Sequence, residues 1–192
     1  MKVVDLSAWQ EDVDWDALSN EFDGVIIKIG QGSRMDSMFV DHVNNAVSHN
    51  IPYGVYYYNR ARTQSEAEEE AQQVDEWIKT WLNGKNPPLG IWADVEDNRM
   101  LDGDATDNAM TFVNYLWGKA YNYVGIYTSY SWLTYGNLNT DVLKDAGVAL
   151  WVAQYYHENS LLEEQPDLIC KMWQYTDHYS DEFPYDASVY YE

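Results

Sequence analysis

Short apolar runs alternate with helix-length segments along most of the chain, and this alternation limits the possible folds more than any other feature of the sequence. Strand-like runs rich in Val, Ile, Trp and Tyr are predicted at residues 2–6, 24–30, 53–58, 89–96, 123–128, 149–154, 169–175 and 185–189. Helices are predicted at residues 14–22, 38–49, 65–82 and 106–119. Strands joined by connections of helical length are typical of an α/β fold with a mostly parallel sheet.

Eight strand candidates suggest that the sheet closes into a barrel. A chain of 192 residues is short for such a barrel, and the helical pattern thins out after Lys119. We therefore predict a single small, irregular (β/α) barrel with about eight strands and reduced helices in its C-terminal half. Because no repeat, linker or low-complexity segment interrupts the pattern, residues 1–192 are expected to form one domain.

The charge of the chain excludes several classes of partner. It carries 32 acidic and 11 basic residues, a formal net charge of −21, and phosphate backbones or anionic lipids would repel it. We expect no nucleic-acid partner and no membrane partner. An acid at position 5 is too early for a signal peptide, so none is expected. Nine Trp and 17 Tyr argue against disorder, and aromatic side chains of this kind also line sugar-binding clefts.

Two carboxylates end the fourth strand candidate, which reads L-G-I-W-A-D-V-E. Because side chains alternate across a strand, Asp94 and Glu96 share one face with Trp92. Two like charges this close are unfavourable unless one is protonated or a cation neutralises them. The pair therefore indicates acid–base catalysis, a metal site or a salt bridge, and the spacing alone does not choose between them.

Topology predicts two further acids at the same place. Functional residues of barrels collect at the C-terminal ends of the strands, and Asp5 lies near the end of the first strand candidate. Asp186 lies near the last strand, which neighbours the first in a closed barrel. The four histidines and the single Cys170 show no metal-ligand spacing, so we predict no metal site and no cofactor.

Seven motifs occur in an order that resembles one known family. They are D-L-S-A-W-Q, I-I-K-I-G-Q-G followed by D-S-M-F, G-V-Y-Y-Y-N-R-A, W-A-D-V-E, G-I-Y-T-S, L-W-V-A-Q-Y and W-Q-Y-T. In order and approximate spacing the chain is similar to glycoside hydrolase family 25, the lysozymes or N-acetylmuramidases of phage endolysins and bacterial autolysins. The resemblance covers essentially the whole chain.

The resemblance implies an irregular β/α barrel that hydrolyses the β-1,4 bond between N-acetylmuramic acid and N-acetylglucosamine in peptidoglycan. It implies that Glu96 is the general acid/base and that Asp94 positions the substrate acetamido group or stabilises the developing cation. Asp5 and Asp186 would be the remaining acids of the site. Retention of configuration, with the acetamido group as nucleophile, is also implied by resemblance. Crowded carboxyl groups fit this chemistry, because the most desolvated of them keeps its proton.

The resemblance also implies a set of saccharide-binding residues. These are Tyr56, Tyr58, Tyr127, Trp151 and Gln174, to which the shared strand face adds Trp92. Two positions depart from the family pattern. Tyr56-Tyr57-Tyr58 stands where Tyr-His-Phe is frequent, and Asp186-Ala187-Ser188 lacks the usual Asn two residues after the Asp.

Two rival functions remain open from the sequence. One is a carbohydrate-binding pseudoenzyme on the same barrel, and the other is a metal-dependent hydrolase that uses the same acids. If the protein is a muramidase, we expect a monomer that binds bacterial peptidoglycan. It would stay cytoplasmic until release to the cell wall, as a phage lysin does, or act as an extracellular autolysin.

Overall fold

Nine strands form one sheet in the computed structural model, which describes residues 1–191. The strands are β1 Lys2–Leu6, β2 Gly24–Gln31, β3 Arg34–Met35, β4 Tyr53–Tyr58, β5 Ile91–Asp94, β6 Val124–Ser129, β7 Ala149–Ala153, β8 Ile169–Thr176 and β9 Ala187–Tyr190. The helices are α1 Trp15–Glu21, α2 Phe39–Ser48, α3 Gln64–Trp81, α4 Ala105–Gly118, α5 Tyr130–Thr134, α6 Thr140–Ala146 and α7 Leu161–Glu164, with a 3₁₀ turn at Asn98–Asp102.

Eight of the strands close into a barrel in the order β1, β2, β4, β5, β6, β7, β8, β9 and back to β1. Neighbouring strands from β1 to β8 pair in parallel, whereas β9 is antiparallel to both β8 and β1. The short strand β3 pairs with β2 as an antiparallel appendage outside the barrel. The predicted small α/β barrel is confirmed, and its closing strand is reversed.

The helices shorten along the chain as the sequence predicts. Helix α3 has 18 residues and α4 has 14, but α5, α6 and α7 have five, seven and four. No residue between β8 and β9, all of them described, is helical. Helix α3 begins at Gln64 rather than Ser65, because the Thr63 side chain accepts a hydrogen bond from the Glu66 N–H and caps the first turn. Within residues 1–191, no helix is both long and apolar enough to cross a bilayer.

The strand predicted at 89–96 is shorter than expected. It begins at Ile91, after Gly90 has taken a left-handed conformation with φ of 88°. It ends at Asp94, and the Val95 carbonyl then accepts a hydrogen bond from the Thr128 hydroxyl at 2.7 Å. Glu96 therefore lies beyond the strand, on the loop that leads to the 3₁₀ turn.

Two apolar layers hold the fold. The larger one lies between the helices and the outer face of the sheet, and it contains Ile91, Ala93 and Val95. The smaller one fills the barrel and consists of Val3, Ile26, Leu89, Trp92, Trp151 and Met172. The predicted alternation along β5 is thus observed, with Trp92 inside the barrel and its sequence neighbours outside.

Candidate active site

Four acidic side chains meet at one end of the barrel. Asp5 comes from β1, Asp94 is the last residue of β5, and Glu96 follows two residues later. Asp186 comes directly before β9 rather than at a strand end as expected. Because β9 is antiparallel, its start lies at the same end of the barrel as the ends of the parallel strands, and the Asp5 N–H donates to the Asp186 carbonyl at 3.2 Å.

These acids line a pocket of about 100 Å³. The pocket is lined by Asp5, Tyr56, Asp94, Glu96, Tyr127, Trp151, Gln174 and Asp186. All four predicted acids and four of the six predicted saccharide-binding residues are therefore brought together. A pocket of this size holds a substituent of a sugar rather than a whole ring, so a saccharide chain would have to lie across its mouth.

The other two predicted saccharide-binding residues lie elsewhere. Trp92 has no exposed surface, and its Nε1 donates to the Leu89 carbonyl at 2.8 Å inside the barrel. Alternation along β5 predicts the correct face of the sheet for Trp92. The side chain nevertheless lies one layer below Asp94 and cannot contact a ligand in this structure. Tyr58 is half-buried near the pocket, with the Lys28 ammonium 5.3 Å from its ring centre.

The floor of the pocket is aromatic. Trp151 packs against Tyr127, with ring centres 4.4 Å apart, and against the edge of Tyr56 at 6.3 Å. Its Nε1 donates to the buried Ser188 hydroxyl at 3.0 Å. Ser188 occupies the position at which the sequence departs from the family pattern, and here it supplies the acceptor that fixes the indole.

The departure at Tyr57 has no direct effect on the pocket. This side chain is fully buried on the outer face of the sheet, stacked on Phe112 with ring centres 5.7 Å apart. Its hydroxyl donates to the Gly32 carbonyl at 3.0 Å. Because Tyr56 and Tyr58 flank it on the opposite face, the middle residue of the triplet contributes to packing and not to the site.

Burial shifts the pKa of each acid upward. For Asp94, which is only 4% exposed, burial and the nearby Glu96 carboxylate hold the pKa well above its ordinary value, against the opposing charge of Lys28. One Asp94 oxygen, Oδ1, has no hydrogen-bond partner among the described residues. An unpaired buried oxygen is unfavourable for the folded protein and can accept a hydrogen bond from a ligand.

The remaining acids differ in exposure. Glu96 is the most exposed of the four, and partial desolvation raises its pKa while Lys28 opposes the shift. Burial followed by the neighbouring Asp177 raises the pKa of Asp186 to about 6. Burial followed by the Asp186 charge raises the pKa of Asp5 well above its ordinary value. The pocket therefore holds carboxyl groups that keep protons at pH values where free side chains lose them.

Three contributions were not predicted from the sequence. Tyr155, on the loop after β7, donates its hydroxyl to Gln174 at 3.2 Å. Ser188 orients Trp151, as described above. Asp97 lies next to Glu96 and pairs with Arg99 and Arg60, and the hydrogen bond from Arg99 lowers its pKa to about 2. Tyr155 is the last residue of the L-W-V-A-Q-Y motif, and this position is the sequence signal for its contact with Gln174.

The clustered acids do not form a metal site by geometry. Within residues 1–191, no group of three or more His, Cys, Asp and Glu side chains is arranged to hold a metal ion. The cation that lowers the pKa values of both Asp94 and Glu96 is the Lys28 ammonium.

Comparison with known families decides the class of the protein. The sequence profile of glycosyl hydrolases family 25 matches residues 4–182. The chain belongs to glycosyl hydrolases family 25. Membership of this family confirms the resemblance found in the sequence motifs and the expected enzyme class, a glycoside hydrolase. No curated protein sequence matches this family 25 chain.

Solved structures share the same fold. The modular autolysin LytC from Streptococcus pneumoniae is 28% identical with a TM-score of 0.82, and the match covers 99% of this chain and 46% of the autolysin. The family 25 chain thus spans less than half of that protein, which has also been solved in complex with a synthetic peptidoglycan ligand. The catalytic domain of an endolysin from a Listeria monocytogenes bacteriophage is 22% identical (TM-score 0.81), covering 100% of this chain and 93% of that one. A muramidase from Trichobolus zukalii is 21% identical (TM-score 0.78), covering 100% and 94%.

Proposed function

We propose that this family 25 glycoside hydrolase degrades peptidoglycan by cleaving the β-1,4 bond between N-acetylmuramic acid and N-acetylglucosamine. The observation that carries the proposal is the pocket at the end of the barrel, where Asp5, Asp94, Glu96 and Asp186 converge and burial raises the pKa of each. Glycosidic cleavage needs a protonated carboxyl at the leaving oxygen and a second carboxylate near the reacting carbon.

Glu96 has the properties of the general acid/base. It is the most exposed of the four acids, so its carboxyl can reach a glycosidic oxygen at the mouth of the pocket. Its raised pKa favours the protonated form that must donate to the leaving group. After bond cleavage the same group, now ionised, activates the attacking water.

Asp94 suits a different task below Glu96. Its unpaired Oδ1 can accept a hydrogen bond from the N–H of an acetamido group that enters the pocket. A pocket of about 100 Å³ suits a substituent of that size. Such a contact would hold the acetamido oxygen against the anomeric carbon, and this supports a retaining reaction in which the substrate supplies the nucleophile.

The aromatic wall supports a saccharide substrate. Tyr56 and Tyr127 line the pocket beside Trp151 and present surfaces of the kind that pack on sugar rings. The pneumococcal autolysin has been solved with a synthetic peptidoglycan ligand, and its similarity to this chain supports the same substrate class here. We further propose that residues 1–192 act as one catalytic domain, that the protein is a monomer, and that it acts on the wall after leaving the cytoplasm.

Clearing of purified bacterial cell walls by the 192-residue chain tests the proposal. Wild type should lower the turbidity of a wall suspension. The rate of turbidity loss should be at least about 100-fold lower for Glu96→Gln, since a general acid typically contributes that much or more. Glu68→Gln changes an exposed acid on α3 in the same way and is the matched control. Undiminished clearing by Glu96→Gln would refute the assignment.

Two further outcomes separate the rival functions. A pseudoenzyme would bind walls in a pelleting assay without clearing them. A metal-dependent hydrolase would lose clearing in EDTA and regain it when a divalent cation is added, whereas the proposed mechanism predicts the same rate with and without the chelator.

A further inference from the structure

Gln174 makes contacts that its role as a pocket-lining residue does not explain. It lies near the end of β8 and is 1% exposed. Its Nε2 donates to Asp5 Oδ2 at 3.0 Å and to Asp186 Oδ2 at 3.3 Å. Its Oε1 accepts from the Tyr127 hydroxyl at 2.9 Å and from the Tyr155 hydroxyl at 3.2 Å. Both donors and both acceptor sites of the amide are therefore used.

The surroundings allow the amide only one orientation. Reversing it would place the carbonyl oxygen against two carboxyl oxygens and would turn the N–H groups toward two hydroxyls that now donate. The carboxyl groups of Asp5 and Asp186 thus fix which way Gln174 points, and the hydroxyls of Tyr127 and Tyr155 donate to its oxygen. Tyr155 is 53% exposed, and its hydroxyl is nevertheless held inside the site by this bond.

We propose that Gln174 is a positioning residue for the reaction. Its amide holds the carboxyl groups of Asp5 and Asp186 together on the side of the pocket formed by β1, β8 and β9, and Tyr127 and Tyr155 hold the amide. The role of Gln174 in catalysis rests on the proposed function. Its effect on the carboxyl groups of Asp5 and Asp186 can be measured without enzyme activity.

The chemical consequence concerns the charge of the acid pair. Burial and mutual repulsion favour protonation of Asp5, and the hydrogen bond from Gln174 opposes that effect. Donation from Gln174 therefore favours the ionised form of Asp5, a carboxylate that can stabilise positive charge at the reacting carbon while Glu96 donates a proton to the leaving group. The other titratable groups around the pair are Asp94, Glu96, Asp177 and Tyr56, with Lys28 acting on Asp94 and Glu96.

Substitution of Gln174 gives the first test. Gln174→Met keeps the length of the side chain but removes its donors, so the pair should take up a proton more readily. We expect kcat to fall by about 10- to 100-fold, the range that corresponds to losing hydrogen bonds to charged groups. The acidic limb of the pH profile of kcat/KM should move to higher pH. Gln174→Glu, an isosteric change that adds an acceptor, should cost more at neutral pH and recover partly on acidification.

A matched glutamine supplies the control. Gln154 lies on the same rim, and its side chain bonds to Ser160 alone among the described residues. Gln154→Met should leave the acidic limb in place. Tyr155→Phe should shift the limb in the same direction as Gln174→Met but by less, and the double variant should resemble Gln174→Met alone because both act through one amide.

Carboxyl ¹³C NMR titration of Asp5 and Asp186 completes the test without activity. The pKa of the pair should be higher in Gln174→Met than in wild type. Unchanged carboxyl titration, an unmoved acidic limb, or an equal shift in Gln154→Met would overturn the inference. If wild type fails to clear walls, the proposed function fails, and the NMR titration still decides whether Gln174 controls the pair.

Discussion

Replacing Asp94 by Asn should stabilise the protein while it removes activity. The carboxyl is 4% exposed, its Oδ1 has no hydrogen-bond partner among the described residues, and burial followed by the Glu96 charge raises its pKa. An unsatisfied buried polar group costs about 1–3 kcal/mol. The amide removes the charge, and its N–H groups can donate to neighbouring carboxylates. For a chain of this size the gain corresponds to a rise in Tm of about 2–12 °C.

The gain should depend on pH with a definite sign. The folded protein holds the Asp94 pKa above the ordinary value of 3.8, so ionisation of this group opposes folding as the pH rises above that value. The advantage of Asp94→Asn should therefore be largest at pH 7 and shrink as the pH is lowered toward 5. Thermal unfolding followed by circular dichroism at both pH values measures the difference.

Asp97→Asn is the control, with the opposite sign. Arg99 holds the Asp97 pKa down at about 2, so the ionised form stabilises the fold above the ordinary value of 3.8 and this contribution disappears as the pH falls toward 2. Arg99 is about half exposed, which limits the expected loss at pH 7 to about 1 kcal/mol. An unchanged or lower Tm for Asp94→Asn at pH 7, with Asp97→Asn behaving as expected, would mean that the buried Asp94 carboxylate does not destabilise the fold.

Three smaller effects are also expected. Tyr57→Phe should cost about 1 kcal/mol in unfolding free energy by leaving the Gly32 carbonyl unpaired, with no change in clearing rate well below Tm, and a lower clearing rate would contradict the placement of Tyr57 outside the barrel. Ser188→Ala should raise KM because the Trp151 indole loses its acceptor, whereas unchanged kinetics would show that packing alone holds the ring. Raising NaCl from about 10 to about 150 mM shortens the Debye length from about 30 to about 8 Å. Wall binding in a pelleting assay should then increase for a chain of net charge −21, and a flat response would mean that repulsion does not affect targeting.

The barrel could be predicted because its signals are local. Each strand has its own apolar run, and the two longest helices, α3 and α4, each have a side-chain cap and an apolar stripe. The apolar run of β9 carries no information about strand direction. Its reversal follows from the connection, because residues 177–186 contain too little chain for the helical crossover that a parallel strand needs. The strand predicted at 89–96 is longer than the observed one because strand-like composition extends from Leu89 to Val95, whereas pairing with β4 spans Ile91 to Asp94.

The site could be predicted only in part. Strand ends located Asp5, Asp94 and Glu96, since these positions follow from topology. Alternation placed Trp92 on the correct face but gave no depth along the barrel axis, and the side chain lies below the pocket. The contact between Gln174 and Asp5 joins residues 169 positions apart and depends on rotamers from different strands, which no local pattern records.

Identification of the cleaved bond distinguishes a muramidase from other wall hydrolases. Walls digested by wild type are reduced with borohydride, hydrolysed and analysed for the sugar that carried the new reducing end. We expect N-acetylmuramic acid to be recovered as its reduced alcohol, with almost none released by Glu96→Gln. Reduced N-acetylglucosamine, or new free amino groups without new reducing ends, would contradict the muramidase assignment.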